Sequence, residues 1–155
     1  MKLLRFAILA LLMLGLPRQG TAQVKRVFPK TLKGLSFGMP MAQFSEDYRS
    51  IDPQYLKRED FRYRWEAPLD GKKGLTKAVY YFDDGPERPF YEVILSFEGP
   101  QERDAWLRKY YGAPNANNAT EWRFPSEEGF EIRAWCYQNR LVIAALLPGT
   151  EWEGS

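Results

Sequence analysis

The sequence predicts an α+β domain. Two tandem helix-plus-three-strand units are expected to form one antiparallel sheet with both helices on one face. Three observations predict this. Two segments carry apolar residues at helical spacing behind a proline. Six segments have the alternating or β-rich pattern of strands. Short turns rich in glycine, proline and acidic residues join the strands, which favours antiparallel pairing.

The elements follow in order. GLSFGMP supplies two glycines and a proline around Phe37, and Pro40 suits the first turn of a helix because its missing N–H needs no partner there. Met41, Phe44, Tyr48 and Ile51 then mark one apolar helix face. Asp52-Pro53 ends it, since the residue before proline is pushed out of helical geometry. In DFRYRWEA, Phe61, Tyr63, Trp65 and Ala67 alternate with Arg62, Arg64 and Glu66, as in a half-buried strand. LTKAVYYFDD is a second strand, rich in β-branched and aromatic residues. FYEVILSFE is a third, with Tyr91, Val93, Leu95 and Phe97 expected on one side.

Gly99-Pro100 opens the second helix, PQERDAWLRKYY. Its early acids Glu102 and Asp104 and late bases Arg108 and Lys109 complement the helix dipole. Trp106 with Tyr110 and Leu107 with Tyr111 are four-apart pairs on its surface. Gly112 is a natural stop, with Pro114 beyond it. TEWRFP, FEIRAWCYQ and RLVIAALLP read as three more strands. The domain is expected over residues 34–148, as units 34–98 and 99–148. The repeat lies in the order of elements rather than in residue identity. Residues 23–33 read as an extended basic lead-in and residues 149–155 as a flexible tail.

Residues 1–22 have the pattern of a secretory signal peptide. Lys2 and Arg5 precede an apolar run from Phe6 to Leu16, and Gly20-Thr21-Ala22 places small residues before a cut near Ala22/Gln23. The run is about half the roughly 20 residues a spanning helix needs. A lipid anchor would need a cysteine just after the run, and the only cysteine is Cys136. The expectation is a periplasmic or secreted chain with no stable membrane anchor.

Removing Lys2, Arg5 and Arg18 from the 22 basic residues leaves 19 against 20 acidic ones, a net charge of −1. That balance argues against nucleic acid as a partner. Residues 23–77 hold 12 basic and 7 acidic groups, whereas residues 78–155 hold 7 and 13. The two halves are either simply solvated or make one side basic enough to steer an acidic partner or an anionic lipid surface. One cysteine cannot form an internal disulfide, so Cys136 reads as a small core residue, with an intermolecular bridge as the alternative.

The chain has no histidine, which removes imidazole bases, Ser-His-Asp triads and histidine-based zinc sites. No Gly-rich phosphate loop occurs, and neither a cofactor nor a metal is expected. Asp83-Asp84 and Glu127-Glu128 fall in turns, where acids serve turn chemistry and solvation. Asp83-Asp84-Gly85 lacks the spaced acids of a calcium loop. Asn118-Ala119-Thr120 matches the glycosylation acceptor pattern.

Aromatic residues make up 15% of the chain, and several strands are apolar on both faces. FEIRAWCYQ places Phe130, Ile132 and Cys136 on one face and Arg133, Trp135 and Tyr137 on the other. In LTKAVYYFDD, Tyr80 and Phe82 oppose Val79 and Tyr81. A sheet covered on one side needs no such second face, so either something packs there or a partner binds. Aromatic and arginine side chains in one patch are the composition of binding hot spots.

The segment GLSFGMPMAQF, followed by a helix and strands ending in FYEVILSFEG, resembles the opening of small bacterial export-compartment domains. WLRKYYGAP followed by a strand with Trp122 resembles a later step of the same group. The two-unit order resembles the β-lactamase-inhibitor-protein-like fold, of which the SmpA/OmlA-like outer-membrane assembly lipoproteins share a shorter version. The resemblance covers residues 34–148 and implies a binding module without catalysis. The chain departs from the lipoproteins in having no cysteine to acylate.

The resulting expectation is a non-catalytic module that binds a protein or peptide in the cell envelope. Its contacts would be Trp135, Tyr137 and Arg133, with Trp122 and Arg123 close by. The aromatics would anchor and the guanidinium would supply a hydrogen-bonding fork. A carbohydrate or cell-wall binder using the same aromatics is the alternative. A carboxylate-dependent hydrolase is a third reading, which two facing carboxylates in a deep pocket would favour.

Overall fold

The computed structural model describes residues 34–48, 52–71, 74–116, 120–125 and 128–155. The signal-like segment, the lead-in, Ile51, Glu127, Asn118 and Ala119 lie outside the described residues. The elements run α1 (Met41–Asp47), a 3-10 turn (Pro53–Tyr55), β1 (Leu56–Arg58), β2 (Arg62–Pro68), β3 (Leu75–Asp83), β4 (Phe90–Phe97), α2 (Pro100–Tyr110), β5 (Glu121–Pro125), β6 (Glu131–Tyr137) and β7 (Arg140–Ala145). All seven strands form one antiparallel sheet in the order β1-β2-β3-β4-β7-β6-β5.

The fold is therefore α+β with a single antiparallel sheet. It has one strand more than the six expected. The addition, β1, pairs Leu56 to Arg58 with Trp65 to Tyr63 at the sheet edge. Three residues carry too little alternation to be read as a strand. The central strand is β4, which pairs with β7, and the later strands run outward from it in reverse order.

Cross-strand register sorts the side chains onto two faces. One face carries Trp65, Tyr80, Val93, Ile143, Ala134 and Trp122 in a straight row across the sheet. This is the core face. Phe44 of α1 is fully buried, with ring centroids 5.5 Å from Trp65, 4.9 Å from Tyr80 and 5.0 Å from Phe82. Trp106 of α2 meets Phe97 edge-on at 5.9 Å, and Tyr111 meets Trp122 and Phe124. Cys136 registers with Leu141 and is partly buried against this core, and burial pushes its thiol up, away from reactivity.

Both sequence-read helices form. Pro40 sits just before α1, and Gly99 caps α2 with Pro100 in its first turn. The α1 stripe ends on Tyr48, which stacks on Phe44 at 4.6 Å.

Candidate functional site

The second face is built from the residues that alternate with the core. One row crosses the sheet as Arg64, Tyr81, Glu92, Ala144, Arg133 and Arg123. The next is Glu66, Val79, Ile94, Val142, Trp135 and Glu121. Beyond it lie Lys77, Ser96, Arg140 and Tyr137. The middle row is an apolar strip, Val79-Ile94-Val142-Trp135, ending in a carboxylate at each side. Charged side chains frame it.

Arg133, Trp135, Tyr137 and Arg123 share this face, with Arg133 directly opposite Arg123. Tyr137 is 58% exposed, the most exposed large aromatic among the described residues. Arg133 binds Glu131, and Arg123 binds Glu121 and Glu131. The Arg133 hydrogen bond therefore holds the Glu131 carboxyl below the usual range. Trp122 does not join them. It is buried on the core face against Tyr111, and its indole N–H donates to the Gly112 carbonyl at 3.1 Å. The physical reason is the pleat: Trp122 and Arg123 are neighbours in one strand and must point to opposite faces.

Tyr91 also departs from the expected pattern. The β3–β4 register shifts between Tyr81, which pairs with Glu92, and Phe82, which pairs with Phe90. Tyr91 is the extra residue of this bulge. It leaves the side of Val93, Leu95 and Phe97, and its hydroxyl donates to Glu151 Oε1 at 2.8 Å.

Residues 149–155, expected to be loose, form turns that lie on this second face. Gly149 takes φ +83°, a left-handed conformation that turns the chain back after Pro148. Thr150 is buried, and its hydroxyl donates to the Leu147 carbonyl at 2.8 Å. Glu151 accepts from Arg62 Nη1 at 2.7 Å as well as from Tyr91. The Trp152 indole N–H donates to Glu92 Oε2 at 2.6 Å, and its ring meets Trp135 edge-on at 5.0 Å. Arg62 in turn lies 4.1 Å over the Tyr81 ring and binds Glu59 at 2.8 Å. Arg62 thereby joins the basic first half of the chain to the acidic second half.

Glu92 is the buried charge of the site, 3% exposed. Burial pushes its carboxyl up to about 7; the Trp152 N–H opposes that rise, the Glu151 charge adds to it and the Arg62 charge opposes it. Glu92, Tyr91, Arg62, Glu151 and Trp152 were not singled out from sequence. The available signal was one carboxylate inside an otherwise apolar strand, FYEVILSF.

The acids flagged from sequence behave as turn residues where they are described. Asp83 Oδ2 accepts from the Gly85 N–H at 2.9 Å, and Asp84 pairs with Arg58 at 3.5 Å. A cleft of about 350 Å³ runs along α2, lined by Gln101, Glu102, Ala105, Trp106, Lys109 and Tyr110, and brings one carboxylate to its wall. No cluster of three or more metal-ligating side chains occurs among the described residues. No helix among them is long and apolar enough to cross a membrane.

The sheet edges are occupied or short. Arg123 N–H donates to Asn115 Oδ1 at 2.7 Å, and Asn115 Nδ2 donates to the Arg123 carbonyl at 2.9 Å. The Asn115 and Ala116 N–H groups reach the Glu121 carbonyl, and Pro125 has no N–H to offer. Asn115 thus takes the place of a neighbouring strand along β5, and β1 at the other edge spans three residues. No family model, curated protein or solved structure matches the chain.

Proposed function

We propose that this chain is a non-catalytic binding module that recognises a protein or peptide partner in the cell envelope through the second face of its sheet. The observation that carries the reading is exposed Tyr137 beside half-buried Trp135 and Ile94, over buried Val79 and Val142 and framed by Arg133, Arg123 and Arg140. Aromatic anchors within a polar rim are the usual anatomy of a recognition patch. Strand addition is the other common mode for an open sheet. Here Asn115 blocks one edge and β1 offers little length at the other, which favours the face.

The architecture supports this reading. We infer that two tandem units place both helices on the core face, because Phe44 and Trp106 each pack on residues that register there. The part of the second face beyond residues 149–155, around Tyr137, Arg133 and Arg123, is then left for recognition. Export after removal of residues 1–22 would bring it to the periplasm or the medium.

The test uses purified chain immobilised and exposed to envelope extract of the native host. A specific partner retained by wild type should be lost from Trp135→Ala, Tyr137→Ala and Arg133→Glu variants that melt like wild type. Equal retention by all four would overturn the reading. Retention of soluble glycan instead of protein would favour the carbohydrate alternative.

A further inference from the structure

We infer that the second face is selective for an acidic-aromatic peptide, a glutamate followed by a tryptophan, and that Glu151-Trp152 of this chain is a resident copy of that ligand. This rests on the binding-module reading and names its partner chemistry.

The segment shows which groups the face receives. Its side-chain holds on the sheet run through two consecutive residues. Glu151 meets a guanidinium and a phenol, Arg62 and Tyr91. Trp152 meets a carboxylate and an indole, Glu92 and Trp135. Each contact is complementary in kind: anion to cation and hydroxyl donor, indole N–H to carboxylate, ring to ring. The backbone hydrogen bonds of residues 149–155 run within the segment or to Leu147, not to the strands beneath. Thr150 beside them is buried, but a segment with no backbone bond to the strands can be exchanged for another that presents the same glutamate and tryptophan.

The arrangement is also tuned to the pair. Arg62 is fixed from both sides, by Glu59 at 2.8 Å and by the Tyr81 ring at 4.1 Å, so its fork is oriented before an acid arrives. Glu92 is 3% exposed under Trp152 and has one hydrogen-bond donor from the segment. A ligand without an N–H at that place would leave a buried carboxylate unpaired, and such a ligand is rejected strongly. Phenylalanine is therefore a poor substitute for tryptophan. The occupant we commit to is a segment of another protein. A tail exchanged between copies of this chain is an outcome of the test.

The experiment is fluorescence anisotropy with labelled peptide Pro-Gly-Thr-Glu-Trp-Glu-Gly-Ser, the sequence of residues 148–155. It is titrated with full-length wild type and with the Trp152→Ala and Glu151→Ala variants. The resident segment competes at an effective concentration in the mM range, so its loss should tighten peptide binding about tenfold or more. Trp152→Ala should show the larger gain and Glu151→Ala a smaller one in the same direction. A peptide with phenylalanine in place of tryptophan should bind at least about tenfold more weakly. Equal affinity of wild type and both variants, or equal affinity of the two peptides, overturns the inference. So does a wild-type dimer that Trp152→Ala dissociates in sedimentation, since the segment would then serve self-association. If the peptide fails while Trp135→Ala still abolishes partner capture, the surface stands and its ligand chemistry falls. If Trp135→Ala leaves capture intact, the surface itself falls.

Discussion

Glu92→Gln is the most informative single substitution, because one buried carboxyl links the sheet to the segment above it. Glu92 lies beneath Trp152, with Glu151, Arg62, Tyr91 and Tyr81 as the charged and titratable groups around it. Its carboxyl moves from 4.5 to about 7 on folding. That displacement corresponds to about 3 kcal/mol. The folded state binds the proton more tightly than the unfolded chain. The contribution is therefore complete below the unfolded value of 4.5 and is lost as pH rises through about 7. Glutamine is neutral throughout and keeps an oxygen for the Trp152 N–H. The expected result is a stability difference, Glu92→Gln minus wild type, that grows by about 3 kcal/mol from about pH 4 to about pH 8. Urea unfolding followed by tryptophan fluorescence at several pH values measures it. Other titrating groups are common to both proteins and cancel in the difference. A difference that changes by less than about 1 kcal/mol over that range would refute the reasoning. Water would then reach Glu92 in solution, and the segment would not seal it.

Three further predictions test the scaffold. Phe44→Ala removes the ring that meets Tyr48, Trp65, Tyr80 and Phe82, and should cost about 3–5 kcal/mol in denaturant unfolding. Gly74→Ala should cost about 2 kcal/mol or more in the same assay. Gly74 has φ +74°, and an added Cβ would lie 2.5 Å from Glu102 Cβ of α2. Asn115→Ala should cost about 1 kcal/mol. It should also uncover β5, giving stronger concentration-dependent association in sedimentation velocity than wild type shows.

Much of the scaffold was legible because it rests on local periodicity. Pro40 and Pro100 marked both helix starts, and Phe44-Tyr48 and Trp106-Tyr110 marked their faces. Alternation placed Arg133, Trp135 and Tyr137 together, since the β-strand period needs no tertiary information. The same rule separates Trp122 from Arg123, and applying it there would have kept Trp122 out of the site. The remainder was hidden for physical reasons. The bulge at Tyr91 breaks the alternation without a glycine to signal it. Glu151 and Trp152 lie in turns with no period to read, and each bonds a residue 60 positions earlier. Such contacts come from the sheet order, which brings β4 and β7 together and sets the following segment down on β4.

The central claim is that the second face is where a partner is recognised. Photo-crosslinking in cells of the native host tests it most directly, with the crosslinking residue placed at Tyr137 or, as a control, at exposed Arg108 of α2. The account predicts a discrete protein adduct from position 137 that disappears when Arg133→Glu is added, and no such adduct from position 108. An adduct that forms at position 108 alone, or one at position 137 that persists with Arg133→Glu, would contradict it.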